Sequence, residues 1–569
     1  MNGVLHSAHF TSRTSWLALV LSALLLVIAR GQSVVPSTES RQKTLHDAGE
    51  AWIPDNGDGT YRNPILHADY SDPDVIRLGD EYYLVASSFS HFPGLPILHS
   101  KDLVNWKIIG HAAERHPAEQ FARPQHGMGI WAPSLRHRNG EFVIYFGDPD
   151  RGVFMTKAKE AAGPWAALKL VRKVTGWIDP CPFWDDDGKA YLVHAWANSR
   201  VGIKSILAIN RMNEEGTEIL DDGVVVFVGH AAHPTIEGPK LYKRNGYYYI
   251  FAPAGGVKHG WQTVLRSRNI FGPYEDRVVL QRGSTNVNGP HQGAWVQTES
   301  GEEWFVHFQD RGAYGRIVHL QPMRWEDDWP VIGSDADGNG IGEPVAVHGK
   351  PTVRSIVPLA VPQTSDEFDS FRLGFQWQWQ ANENPQWMSL DVRKGWLRLF
   401  AHGIPEGPMN LWDAGSLALQ KLPAPRFVAT ASLDAKGLQV GDKSGVLVFG
   451  LDYSSVVIER TESGFRLCRI HCPDADKGSE EVVLAEVHNV PAEVVLRVAV
   501  RPEDAESVEP KVLCMFSYSV NGTTFQSLGG PFVAREGKWV GAKVGVYAVA
   551  KQSGRQGGFA DVDWFRVTP

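Results

Sequence analysis

Cysteine is scarce in this chain: Cys181, Cys468, Cys472 and Cys514 are the only four in 569 residues. Four cysteines exclude a disulfide scaffold, although Cys468, Cys472 and Cys514 could form one bridge among them. Cys181 reads as a small buried hydrophobe. His471 between Cys468 and Cys472 is too thin a pattern to predict a metal. Basic clusters are also missing. The formal net charge is −8 and spread out, which excludes nucleic acid as a partner. Helix-favouring patterns are few. The apolar run 16–28 is too short for a comfortable membrane span. With Arg13 ahead of it and Ala29-Arg30-Gly31 behind, it has the form of a secretory signal over residues 1–31. The expected mature protein is secreted or periplasmic and has no membrane contact.

What the chain does hold is glycine, proline and aromatic side chains, with 57 Gly, 35 Pro and 20 Trp. That balance favours many short strands joined by tight turns. The length favours two domains. After a polar arm at 32–56, a repeat sets in: a Gly-containing turn followed by an aromatic-aliphatic strand. Its five copies are Gly79-Asp80-Glu81-Tyr82-Tyr83, Asn139-Gly140-Glu141-Phe142-Val143, Asp187-Gly188-Lys189-Ala190-Tyr191, Asn245-Gly246-Tyr247-Tyr248-Tyr249 and Ser300-Gly301-Glu302-Glu303-Trp304. Such turns are strong hairpin signals. A spacing of roughly 50 to 60 residues suits a four-stranded propeller blade. A second echo follows three of them, ending in Asn105-Trp106, Gly163-Pro164-Trp165 and Gly272-Pro273-Tyr274. The expected fold is all-β: a five-bladed β-propeller over 57–345, a linker at 346–365 and a β-sandwich over 366–569. Asp335-Ala336-Asp337-Gly338-Asn339-Gly340 starts like a calcium loop, but Ala346 stands where the bidentate Glu belongs, so a Gly-rich turn is expected.

Ahead of the repeated turns stand Ser71-Asp72-Pro73, Trp131-Ala132-Pro133, Asp179-Pro180 and Glu237-Gly238-Pro239. Three of these four places carry a carboxylate, which predicts one acid per repeat at one equivalent place around a central channel. Asp before Pro also starts turns, but three acids at matching places suit glycoside hydrolysis better. There one carboxyl protonates the leaving oxygen and another activates water, while a third raises the acid's pKa.

These residues resemble glycoside hydrolase family 43, the five-bladed propellers that include β-xylosidases and α-L-arabinofuranosidases. The likeness runs from Asn63-Pro64-Ile65-Leu66 and Ser71-Asp72-Pro73-Asp74 through His99-Ser100-Lys101-Asp102-Leu103-Val104-Asn105-Trp106 and Gly129-Ile130-Trp131-Ala132-Pro133 to Glu237-Gly238-Pro239. The segment from Asp366 onward is similar to the concanavalin-like sandwich of the family's β-xylosidases. The resemblance implies Asp72 as general base, Glu237 as general acid and Asp179 as the orienting, pKa-raising aspartate of an inverting reaction. It also implies Phe89, Trp131, Arg316 and His291 as substrate contacts. His291 falls where relatives place a channel histidine, sometimes beside calcium, which makes it the one weak metal candidate. No cofactor is required, and a structural calcium ion is the single exception the resemblance allows.

His91-Phe92-Pro93-Gly94 and Ser71-Asp72-Pro73-Asp74 depart from the usual family wording and leave the pentose preference open. The expected activity is an exo-acting β-1,4-xylosidase on xylo-oligosaccharides. The close alternative is an α-L-arabinofuranosidase on arabinoxylan side chains. A non-catalytic carbohydrate-binding propeller would have no need of all three carboxylates.

Overall fold

Asn-Gly turns set the geometry of the first domain, because both residues take up left-handed backbone. In a computed structural model, Asn139 and Gly140 have φ of 52° and 78°, and Asn245 and Gly246 have 51° and 73°. This is the twist that a two-residue hairpin between right-twisted strands requires. The structure describes residues 49–404, 410–551 and 556–569; the leader at 1–31 lies outside them.

Five antiparallel four-stranded sheets, at 74–113, 131–173, 177–228, 240–280 and 291–332, form the propeller. In each, the strands lie in chain order. The first strands are Asp74–Leu78, Trp131–Arg138, Trp177–Trp184, Lys240–Arg244 and His291–Gln297. Each hairpins directly into the aromatic strand of the repeat, as Leu78 opposite Glu81 and Arg244 opposite Tyr247 illustrate. Successive first strands adjoin from blade five through blades one, two and three to blade four, and the circle is completed where His291–Gln297 meets Tyr247–Ala254. The second echo turns out to be the corner before the fourth strand. Trp106 donates from Nε1 to Leu103 O (2.7 Å), Trp165 to Ala161 O (3.0 Å), and the Tyr274 hydroxyl to Ile270 O (2.8 Å). An aromatic with a polar tip that is buried, like Trp106, or half-buried, like Trp165 and Tyr274, needs such a partner, so one motif recurs for one reason.

The ring closes where blade one meets blade five. Tyr61, Ile65, Leu66 and Val75 pack there against Val296, Trp304, Val318 and Leu320. Thr60–Arg62 pairs with Val347–Gly349, so the first residues of the connector belong to this closure. The Asp335 carboxylate accepts the Asn339 and Gly340 N–H groups, as in an ordinary turn.

The C-terminal domain is one curled sheet of fourteen strands folded as a sandwich. Alternate residues such as Leu397, Leu399, Val446, Val456, Leu496, Val498 and Val546 fill its core. The bridge that Cys468, Cys472 and Cys514 could have formed is absent: all four cysteines of the chain are free and buried. Cys468 and Cys472 share the extended strand Gly464–Cys472. Four residues of strand separate their Cα atoms by about 13 Å, well beyond the roughly 7 Å that a disulfide spans. Cys514 packs in a different apolar cluster from that pair. The sandwich docks through backbone pairing, with Phe92 and Trp379 exchanging N–H···O bonds of 3.0 and 2.6 Å and Asn382 N–H donating to Phe121 O.

Candidate active site

The propeller repeats a backbone kink where its first strands begin. Asp72, Ala132, Asp179, Gly238 and Gln292 all have positive φ (55°, 31°, 56°, 58° and 28°). Four of them precede a proline, and the strands carry register shifts between Trp131 and Ser134, Ile178 and Cys181, and His291 and Gly293. Non-glycine residues held there cost on the order of 1–3 kcal/mol each, a strain that clusters at functional sites. Only two acids occupy the repeated place. Asp72 and Asp179 sit at the kink, whereas Glu237 stands one residue before it, level with Trp131 and His291. The expectation of three acids at one equivalent place is corrected accordingly. Neighbouring residues of a regular strand face opposite ways, and the left-handed residue breaks that alternation. Acids from both positions come close enough to influence one another's charge.

Each carboxyl has its own setting. Asp72 is buried, and its Oδ2 accepts the Ser71 and Ser87 hydroxyls at 2.7 and 2.6 Å. Its Oδ1 has only a longer contact with Arg316 Nη1, at 3.3 Å. Ser87 is itself fixed by the Ala132 N–H, 2.8 Å from its Oγ. Asp179 is buried and accepts the Gly238 N–H at 2.8 Å. Burial raises its carboxyl above the usual range against that bond, and the Asp72 charge adds to the rise. Glu237 is raised too, first by burial, then by the Asp179 charge and, more weakly, by Asp72, with Arg316 opposing. It keeps 30% of its side chain accessible, as a group that must meet a ligand requires. Its Oε1 lies 3.4 Å from His291 Nε2. Burial, with the Arg316 charge, holds the His291 imidazole down to about 3, so it is neutral. Both its ring nitrogens are buried without a hydrogen-bond partner. Among the described residues no group of three or more His, Cys, Asp or Glu gathers to hold a metal. Calcium takes six to eight oxygen ligands, which a lone imidazole does not match.

Phe89 and Trp131 meet edge to face with centroids 5.9 Å apart, and Phe89 exchanges backbone bonds with Ile130. Arg316 donates from Nη1 to Ser71 Oγ at 2.7 Å and lies over the Phe308 ring. Asp72, Asp179, Glu237, Arg316 and His291 thus act on one another directly, and Ser87 joins Asp72 to the Ala132 N–H beside the Phe89–Trp131 pair. Four features were not legible in the sequence. Ser71 and Ser87 orient Asp72, and Lys240, buried, donates to Pro133 O and Ser134 Oγ at 2.8 Å. Most unexpected is a lip from the sandwich. Trp539, with φ of 64° and 44% exposed, sits 5.9 Å from the Trp131 ring. Lys258, Asp310 and Arg316 of the propeller share a cleft with Leu451, Lys538 and Trp539. Nothing local in the sequence marks where Gly537-Lys538-Trp539 docks.

The profile of Glycosyl hydrolases family 43 matches residues 61–330, and that of the "Beta xylosidase C-terminal Concanavalin A-like domain" matches 365–568. A protein of Xylanibacter ruminicola, provisionally named a β-xylosidase, is 42% identical over 504 residues, 88% of each chain. A β-xylosidase of Formosa agariphila is 32% identical over 596 residues, covering 96% of this chain and 97% of its own. A non-reducing end α-L-arabinofuranosidase of Bacteroides ovatus is 29% identical over 537 residues, 89% and 94% of the two chains. The crystal structure of a family 43 protein from Bacillus licheniformis superposes with a TM-score of 0.75 at 28% identity, covering 90% of this chain and 99% of that one.

Proposed function

From a chain that belongs to glycosyl hydrolases family 43, and so is a glycoside hydrolase, we propose an exported, exo-acting β-1,4-xylosidase working by inversion. The observation that carries the reading is the contrast between Asp72 and Glu237. Asp72 has Oδ2 engaged by two hydroxyls and Oδ1 left open apart from a long contact with Arg316. Glu237 is held toward its protonated form. One carboxyl is set to take a proton and the other to give one.

In the proposed step, a water oxygen bonds to the anomeric carbon while its proton passes to Asp72 Oδ1. The glycosidic C–O bond breaks with its electron pair leaving on oxygen, and that oxygen takes the Glu237 proton. Asp72 ends protonated and Glu237 ionised, and exchange with solvent resets both. Arg316 holds Ser71 and Asp72 in place, and neutral His291 lies beside Glu237 without competing for its charge. No step passes through a metal. The Trp539 lip, beside Trp131, walls the cleft that holds Arg316, which favours attack at chain ends. Arg13 and the run 16–28 add export to the proposal.

Asp179 supplies a test through pH. Its charge raises Glu237, so Asp179→Asn lets Glu237 lose its proton at lower pH. The alkaline limb of the kcat/KM profile should therefore move toward acid, the two carboxyls titrating as a pair. A limb that stays put removes Asp179 from this role.

The α-L-arabinofuranosidase reading is favoured by the name of the Bacteroides ovatus relative. Hydrolysis of aryl β-D-xylopyranoside and aryl α-L-arabinofuranoside by the purified chain separates the two. The xyloside should be preferred at least about tenfold in kcat/KM, which is about 1.4 kcal/mol of transition-state binding. The reverse preference would keep the fold and acids but assign the arabinofuranoside.

A further inference from the structure

Asp69 is a buried acid that the proposed chemistry does not use, and it touches three parts of the molecule at once. It lies three residues before Asp72. Its Oδ1 accepts the Arg316 N–H at 2.9 Å, and its Oδ2 accepts the Gly541 N–H of the sandwich, also at 2.9 Å. One carboxylate therefore ties the segment bearing Asp72, the strand bearing Arg316 and the lip bearing Trp539.

The surroundings are built around that tie. The Ala542 N–H donates to Ala313 O at 2.7 Å, and the Tyr314 hydroxyl to Pro425 O at 2.7 Å. A Cβ on Gly541 would lie 2.6 Å from Gly315 N, and one on Gly315 would lie 2.5 Å from Asp69 Cγ. Both glycines are needed for so close an approach of backbone to backbone and to carboxylate. Charge points the same way. Lys421 and Lys543 stand directly opposite each other on neighbouring sandwich strands, an arrangement that repels. Asp69 is the carboxylate whose charge favours both ammoniums.

We propose that Asp69 is a positioning residue that locks the Trp539 lip of the sandwich against Arg316, so that the pocket is complete only when the two domains are clamped through this carboxylate. The proposal rests on the glycosidase reading above. Displacing Arg316 loosens the contacts of Ser71 and Asp72, while displacing the lip removes Trp539 from Trp131. A shift of about 1 Å at such groups costs on the order of 10²-fold in rate.

Asp69→Asn keeps the shape but leaves one of the two backbone N–H groups without an acceptor. On aryl β-D-xylopyranoside, kcat/KM per folded molecule should fall on the order of 10–100-fold. Hydrogen exchange of the amides at 536–542 should quicken, while the interior strand Lys443–Phe449 stays protected. If Asp69 acts through the lip, its effect must shrink at least about threefold when Trp539 is already Ala, the non-additivity expected of coupled residues. An unchanged kcat/KM, or equal losses in both backgrounds, would overturn the proposal. Should Asp69→Asn fail to fold, Gly541→Ala lifts the same contact from the other side and must show the same loss and the same coupling. If the wild-type chain cleaves neither aryl glycoside, the function reading fails, and the exchange result alone decides the clamp. Protection of 536–542 that survives Asp69→Asn then refutes it.

Discussion

Glu237→Gln is expected to lower kcat on xylo-oligosaccharides by about 10²–10⁴-fold, the usual worth of a positioned general acid. The amide fills the same space and keeps the neighbourhood of His291, but it has no proton to give. The loss should depend on the leaving group. A sugar alkoxide is a poor leaving group and needs the proton, whereas an aryl oxide carrying nitro groups departs largely unaided. The deficit on an activated aryl xyloside should therefore shrink by at least about tenfold relative to xylobiose. Substrate binding should persist, because Phe89, Trp131 and Arg316 are untouched. A variant whose deficit is equal on both substrates would take the acid role away from Glu237.

Asp72→Asn should produce the second large loss, also about 10²–10⁴-fold, but with a different signature. The base acts on water, not on the departing oxygen, so activated and ordinary substrates should suffer alike. The geometry explains why the loss cannot be repaired locally. Ser71 and Ser87 both donate to Oδ2, which steers the remaining oxygen toward water. An amide there must turn its NH₂ either to those hydroxyls or to Arg316. The charge also matters at a distance: Asp72 helps to raise both Asp179 and Glu237. Its removal should let Glu237 lose its proton at lower pH, moving the alkaline limb of any residual activity toward acid. Residual activity with an unmoved limb would show that Asp72 is not in electrostatic contact with the acid.

These two carboxyls were legible in the sequence because their signal is local and repeated. A Gly turn, an aromatic strand and an X-Pro step each have a conformational cause that acts within a few residues. The five-fold recurrence follows from that, as does the corner motif around Trp106, Trp165 and Tyr274, where a polar tip must find a carbonyl. The one-residue offset of Glu237 was there to be read, since Asp72 and Asp179 directly precede proline whereas Gly238 separates Glu237 from Pro239. Long-range contacts were silent for a plainer reason. Gly541 meets Asp69 from 472 positions away, and neither Gly537-Lys538-Trp539 nor His67-Ala68-Asp69 carries any mark of the other. The cysteines show the opposite failure. Three cysteines in one domain left a bridge open, but an extended strand holds Cys468 and Cys472 too far apart, a fact that only the local conformation supplies.

The most direct test of the account is to follow xylotriose hydrolysis by proton NMR and record which anomer of xylose forms first. A water delivered by Asp72 opposite a leaving group protonated by Glu237 predicts α-xylose ahead of mutarotation, with xylobiose as the other product. First-formed β-xylose would contradict the single displacement, and no release of xylose would contradict the substrate assignment.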